Sequence, residues 1–181
     1  MRTLYHLPLS PYCRKVRIAL KEKGLDFELR VERVWERRDE FLALNPTGKV
    51  PVLIEHDGSV LCESEAICEY LDEVYPGRAL IGSTPGARAE TRRLVSWFDL
   101  KFGREVSANL IGQKVMRRLV DGAGPDTEAL RAGQYNLRYH LEYIGFLFER
   151  RNWLAGDEFS LADIASAAHL SSIDYLGDVP W

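Results

Sequence analysis

The sequence predicts a mixed α/β half followed by an all-helical half. Three observations carry that prediction. Up to about Val74, short apolar runs of period two alternate with helical stretches in the order βαβαββα. From Ala87 onward no strand-like alternation remains and a 3.6-residue period takes over. Between the two patterns lies PGRALIGSTPG, residues 76–86, with three glycines and two prolines, the composition of a connecting segment. The expected division is therefore a domain over 1–76, a linker over 77–86 and a helical domain over 87–181.

Arg2 to His6 reads as a first strand, broken by Leu7-Pro8-Leu9-Ser10 before a helix beginning near Pro11, where proline suits the first turn. Val16, Ala19 and Leu20 share one face of that helix, Arg14, Lys15, Lys21 and Glu22 populate the others, and Gly24 supplies the stop. Phe27, Leu29 and Val31 alternate as a second strand. A strand, helix and strand in this order imply a parallel pair joined by a right-handed crossover. Trp35 to Leu44 is expected as one polar helix ended by Asn45-Pro46.

The stretch from Asn45 to Tyr75, NPTGKVPVLIEHDGSVLCESEAICEYLDEVY, carries the densest signal. Val50-Pro51 opens a β-run at a bond that can be cis, leaving the preceding backbone free to pair with an extended ligand. Val52-Leu53-Ile54, a tight turn at Asp57-Gly58-Ser59 and Val60-Leu61-Cys62 read as a hairpin that delivers Glu63 and Ser64 beside Val50. Ser64 is expected to cap a third helix, whose unpaired N–H groups and positive dipole end suit a carboxylate. Ala66, Ile67, Tyr70, Leu71 and Val74 form its expected buried stripe.

In the second half, Leu94, Trp97, Phe98 and Phe102, then Val106, Leu110 and Met116, mark a long helical segment broken at Asp121-Gly122-Ala123-Gly124-Pro125. A further helix is expected from about Asp126 to Arg151, with Leu130, Leu137, Leu141, Ile144 and Phe148 on its apolar side. Phe159-Ser160-Leu161-Ala162-Asp163-Ile164 has the spacing of a capping box with a hydrophobic staple.

Composition excludes several functions. The 181 residues carry a formal charge of −3 with mixed signs throughout, which gives no nucleic-acid surface. No apolar run is long enough to span a bilayer, and no charged leader with an apolar core is present, so a cytoplasmic location is expected. Cys13, Cys62 and Cys68 have no metal-ligand spacing and suit a reducing compartment. His6, His56, His140 and His169 show no spacing for a metal or a catalytic triad, and His169 beside Ser171 and Asp174 is read as structural. No metal is expected.

LYHLPLSPYCRKVRIAL together with the Asn45–Tyr75 stretch resembles the thioredoxin-like, glutathione-binding half of the glutathione S-transferase family, and WLAGDEFSLADIA resembles a helix-start motif in that family's helical half. The resemblance implies a thioredoxin-like α/β domain plus an all-α domain, the GST fold, usually dimeric. It also implies that glutathione is the co-substrate and an electrophilic small molecule its target. Ser10 stands where serine-type members carry their catalytic hydroxyl, the donor to a thiolate, with Tyr5 as the alternative. Lys49 would meet the glycyl carboxylate, Val50 ahead of Pro51 would pair with the cysteinyl backbone, and Glu63 with Ser64 would hold the γ-glutamyl end. Ser10-Pro11-Tyr12-Cys13 is similar to the glutaredoxin Cys-Pro-Tyr-Cys site with its first cysteine replaced, which removes dithiol chemistry and leaves Cys13 packed. The family continues beyond the equivalent of Trp181 with further helices and a tail, so a truncated chain is expected.

A second reading comes from a different class. The runs Arg150 to Asp157, Ala167 to Ser171 and Asp174-Tyr175 to Trp181, with Trp97-Phe98-Asp99 and Lys101-Phe102, resemble a GST-like subfamily of alphaproteobacterial division proteins that bind FtsZ filaments. An adaptor of this kind implies exposed aromatic anchors in a charged rim, for which Trp35 and Met116-Arg117-Arg118-Leu119 are the candidates.

Overall fold

Four short strands form one mixed sheet in the spatial order Phe27–Val31, Arg2–His6, Val52–Ile54, Val60–Cys62. In the computed structural model, which describes residues 1–181, β1 (Arg2–His6) pairs in parallel with β2 (Phe27–Val31) and antiparallel with β3 (Val52–Ile54), which pairs with β4 (Val60–Cys62). The chain separates into two units, Met1–Leu80 and Ile81–Trp181.

In the first unit, α1 (Pro11–Glu22) starts at Ser10, whose side chain accepts from the Cys13 N–H. It ends in a Schellman motif: Gly24, at φ 66°, donates to Lys21 and Leu25 donates to Leu20. Its buried stripe is Cys13, Val16, Ala19 and Leu20, but Lys15, expected on a polar face, is also fully buried. The single helix expected over Trp35 to Leu44 is two pieces, a 3₁₀ turn at Val34–Glu36 and α2 (Asp39–Leu44). Arg37 in the left-handed region at φ 46° interrupts them, and Arg38 beyond it is extended, its guanidinium bonded to both oxygens of the buried Glu32. That ion pair fixes the chain where helical propensity alone favours continuation. α3 (Ser64–Val74) buries Ser64, Ile67, Cys68 and Leu71, whereas Ala66 and Val74 are exposed. The helix is thus rotated from the expected stripe, because small Cys68 fits the buried side and the two acidic residues flanking Ala66 and Val74 draw that side to water.

The second unit is built from helices, with one isolated bridge between Trp153 and Gly156 in the loop that follows Phe148. α4 (Pro85–Ser96), capped by the Thr84 hydroxyl, runs on with αR backbone at each junction through Trp97–Ser107, α5 (Ala108–Ile111), Gly112–Met116 and α6 (Arg117–Asp121), to end at Gly122 with φ 66°. Two of these passages are π-helical, and Ala108 donates to Gly103 across five residues. α7 (Thr127–Phe148) starts at Asp126, which accepts from Glu128 and Ala129. It buries Gly133, Leu137, His140, Ile144 and Leu147, while Phe148, expected inside, is exposed and Leu147 takes the inner position. α8 (Leu161–Asp174) has the full capping box: Ser160 receives Ala162, and Asp163 receives the Ser160 N–H.

A buried polar network crosses this unit. The Trp97 indole N–H donates to His140 Nδ1 at 3.0 Å, so the imidazole is neutral and carries its proton on Nε2, which faces Glu105 at 3.1 Å. His169 does not pair with Ser171 or Asp174. Its Nδ1 lies 2.8 Å from the Ser107 hydroxyl and its Nε2 lies 3.5 Å from Asp99. The Phe102 ring packs edge-on against both imidazoles. His140, His169 and Phe102 are core groups and Trp97 is half-buried, so a Ser, His and Asp in proximity here hold helices together.

Candidate functional site at one end of the sheet

Strand register assembles the sequence-predicted residues. Tyr5 stands opposite Val52, and Val52 stands opposite Cys62. The exit of β1, the entry of β3 and the exit of β4 therefore lie side by side at one end of the sheet. Ser10 follows the first, Val50-Pro51 precedes the second, and Glu63-Ser64 follows the third. Residues from three distant parts of the sequence are carried to the same end because two antiparallel pairings share β3.

Each element reaches that end for a local reason. The Val50-Pro51 bond is cis and Pro51 is buried. The loop before it is held by Asn45, a buried side chain whose amide donates to the Lys49 carbonyl at 2.8 Å and whose oxygen accepts from the Thr47 N–H and hydroxyl. Gly48 completes the turn at φ 68°, and a Cβ there would meet Leu42 at 3.2 Å. Lys49 itself is exposed. Glu63, also exposed, occupies the cap position with φ 68° and ψ 125°, costing about 1–3 kcal/mol for a non-glycine residue. Ser64, expected as the N-cap, is instead the first residue of α3 and is buried. The correction follows from Glu63: its left-handed turn aims the helix start, and Ser64 inherits the first turn.

Two helix N-termini thus open at the same end, α1 after β1 and α3 after β4. Their unbonded N–H groups and positive dipole ends favour anions. α1 has no acidic residue in its first turn to offset this. Ser10 uses an oxygen lone pair to accept from Cys13 at 3.3 Å and keeps its hydroxyl hydrogen to donate. Tyr5 differs: its ring packs on Phe41 in the core with Val52, and its oxygen accepts from Arg30 at 2.9 Å. Cys13 is fully buried, and burial pushes its thiol up, away from a thiolate at neutral pH. Sequence reading missed Asn45 and the strained Glu63. The Asn-Pro-Thr-Gly turn signal was available for the first; no residue-type preference announces left-handed backbone at a glutamate. Among the candidate anchors, Trp35 is half-buried and Leu119 is exposed. No cluster of side chains suitable for a metal ion is present.

Residues 4–79 match the family model described as the glutathione S-transferase N-terminal domain. A crystal structure of a glutathione S-transferase from Rhodospirillum rubrum F11 is 55% identical, with a TM-score of 0.97 over 100% of this chain and 82% of that one. The chain belongs to the glutathione S-transferase family. FtsZ-localized protein A of Caulobacter vibrioides is 51% identical across 99% of this chain and 80% of the relative's length. The solved structure of FzlA from C. crescentus gives a TM-score of 0.96 at 51% identity, over 99% of this chain and 81% of that one. The family model reaches only the first unit, whereas these likenesses run through both.

Proposed function

We propose that this chain is a GST-fold protein of bacterial cell division that associates with FtsZ filaments in the cytoplasm. The observation that carries the reading is the 51% identity with FtsZ-localized protein A over 99% of the chain, which includes the helical unit as well as the glutathione S-transferase N-terminal domain. A fluorescent fusion of the full chain, expressed in Caulobacter in place of the native FtsZ-localized protein A, should collect at midcell and disperse when FtsZ is depleted. A fusion that stays diffuse while folded and expressed would count against it.

The geometry of the sheet end supports a second property of the same protein, glutathione binding. Glutathione is an anionic tripeptide with an extended backbone. The open backbone at Val50 beside Pro51 suits the cysteinyl residue, and Lys49 suits the glycyl carboxylate. Ser64 at the N-terminus of α3, with Glu63, suits the γ-glutamyl end, its α-carboxylate to the helix start and its ammonium to the Glu63 carboxylate. Ser10 would donate to the thiolate, and the α1 N-terminus would lower the thiol below its ordinary ~8.5. Attack on an electrophilic small molecule would then follow from the thiolate alone. Homodimerisation, usual in the family, completes the proposal.

Calorimetry separates binding from activation. Ser64→Ala should abolish the heat of glutathione binding, and Ser10→Ala should keep it while raising the bound thiol's pKa. No heat from the wild-type chain at millimolar glutathione would remove the second property and leave the first standing.

A further inference from the structure

A different surface of the first unit carries its own chemistry. Arg14, Arg17, Ile18 and Lys21 fall at helical spacing on the side of α1 opposite its core stripe. With Phe27 and Leu29 of β2 they line an open groove of about 540 Å³. Its floor is apolar and its charged lining is three cations with no carboxylate. Arg14 is anchored by its Nε donating to the Pro8 carbonyl at 2.9 Å, and the Lys21 ammonium lies 5.2 Å from the centre of the Phe27 ring. Both cations are thus held at the rim.

The groove runs beside an open sheet edge. β2 pairs only with β1, and Leu29 and Val31 are 45% and 57% exposed. Glu32 donates its N–H to His6. Alternation along the strand then turns the N–H and C=O groups of Leu29 and Val31 outward, away from β1. An uncovered edge of this kind is a template for another strand. A second copy of this chain would bring the same three cations against themselves, so charge complementarity selects a different occupant.

We propose that the α1–β2 groove docks an acidic, extended peptide segment of a partner protein. The segment adds to β2 as a fifth strand, sets alternate apolar side chains on Ile18, Phe27 and Leu29, and places carboxylates on Arg14, Arg17 and Lys21. Backbone pairing supplies affinity, and the cationic rim with the apolar floor supplies selectivity.

The test is selection of a phage-displayed library of short random peptides on the immobilised full chain, then fluorescence anisotropy with the selected synthetic peptides. The expected winners are acidic, with apolar residues at alternate positions. Arg17→Glu combined with Lys21→Glu should weaken them by about tenfold or more. Val31→Pro removes an outward N–H without touching the β1 ladder or the groove lining, and should weaken them too. Circular dichroism of each variant checks that it is folded. The proposal is overturned if no peptide is enriched, if the winners show no acidic bias, or if charge reversal leaves them unmoved. Val31→Pro binding as tightly as the wild type overturns strand addition. Binding of a DNA duplex with no peptide binding would make the groove a general polyanion surface and also overturn it.

Discussion

The two units use polar residues in opposite ways. In the helical unit, His140, His169 and Ser107 are buried and bonded between helices, buried Asp163 ties the start of α8 to the preceding loop, and their removal is a matter of stability. In the α/β unit, half-buried Ser10 and exposed Lys49 and Glu63 stand at the end of a sheet where two helix N-termini begin. The lesson is that a polar cluster earns a ligand reading from accessible donors, not from residue identity. By residue identity alone, the buried group of Ser107, His169 and Asp99 has more of the look of an active site than the sheet end does.

That contrast breaks most sharply at Asp163. Its carboxylate accepts from the Leu154 N–H at 2.9 Å and from the Ser160 N–H and hydroxyl, all buried. Asp163→Ala strands these donors and should cost about 3–5 kcal/mol in denaturant unfolding, at one to three per orphaned group with partial relaxation. Glu63→Ala at the sheet end should change stability by less than about 0.5 kcal/mol.

Gly133 gives the next effect. A Cβ at this position of α7 would lie 2.9 Å from the Asn109 side chain and 3.0 Å from that of Leu110. Gly133→Ala should therefore cost about 1–3 kcal/mol through displacement of α5, despite better helix propensity. An unchanged or improved midpoint would show that α5 yields easily.

Acid should loosen the helical unit through His140. Burial pushes this imidazole below its ordinary value, against the opposing pull of Glu105. With the folded value below the unfolded ~6.5, the unfolded state binds more protons between the two. Stability is complete above about 6.5, falls as pH drops below it, and levels off beneath the folded value. An NMR titration of His140, with the Trp97 indole proton as reporter of the bonded tautomer, checks the sign directly. His6 in the α/β unit is shifted the same way by burial, then by Arg17, so both units contribute to the slope.

The smallest effect is a gain. Glu63 holds a left-handed backbone, and Glu63→Gly should stabilise by up to about 1 kcal/mol if relief of that strain outweighs the flexibility of glycine in the unfolded chain. The same variant should weaken glutathione binding, since it removes the carboxylate proposed to meet the γ-glutamyl ammonium while glycine keeps the turn.

Much of this was legible beforehand for a physical reason. The strands, the hairpin turn, the cis-competent Val50-Pro51 and the Ser160 capping box are set by local preferences, and the structure contains each of them. What escaped depends on tertiary contacts. Arg38 reaching buried Glu32 splits the second helix, a left-handed glutamate displaces Ser64 from the cap, and Lys15 is drawn inside although its neighbours are polar. Through the π-helical passage at Trp97–Ser107 the buried residues Leu94, Phe98, Phe102, Val106 and Leu110 recur every four residues, a drift from the 3.6-residue period that the sequence reading did not register. The candidate site residues stand in short motifs, but their placement at one end of the sheet rests on strand register.

Association with FtsZ is decided by co-sedimentation with GTP-assembled FtsZ polymers. The full chain should pellet saturably with the polymers and remain in solution without GTP. Ser64→Ala should pellet as well as the wild type, because the role proposed for the sheet end is glutathione binding rather than filament contact. A folded wild-type chain that stays in the supernatant at every polymer concentration would rule the association out.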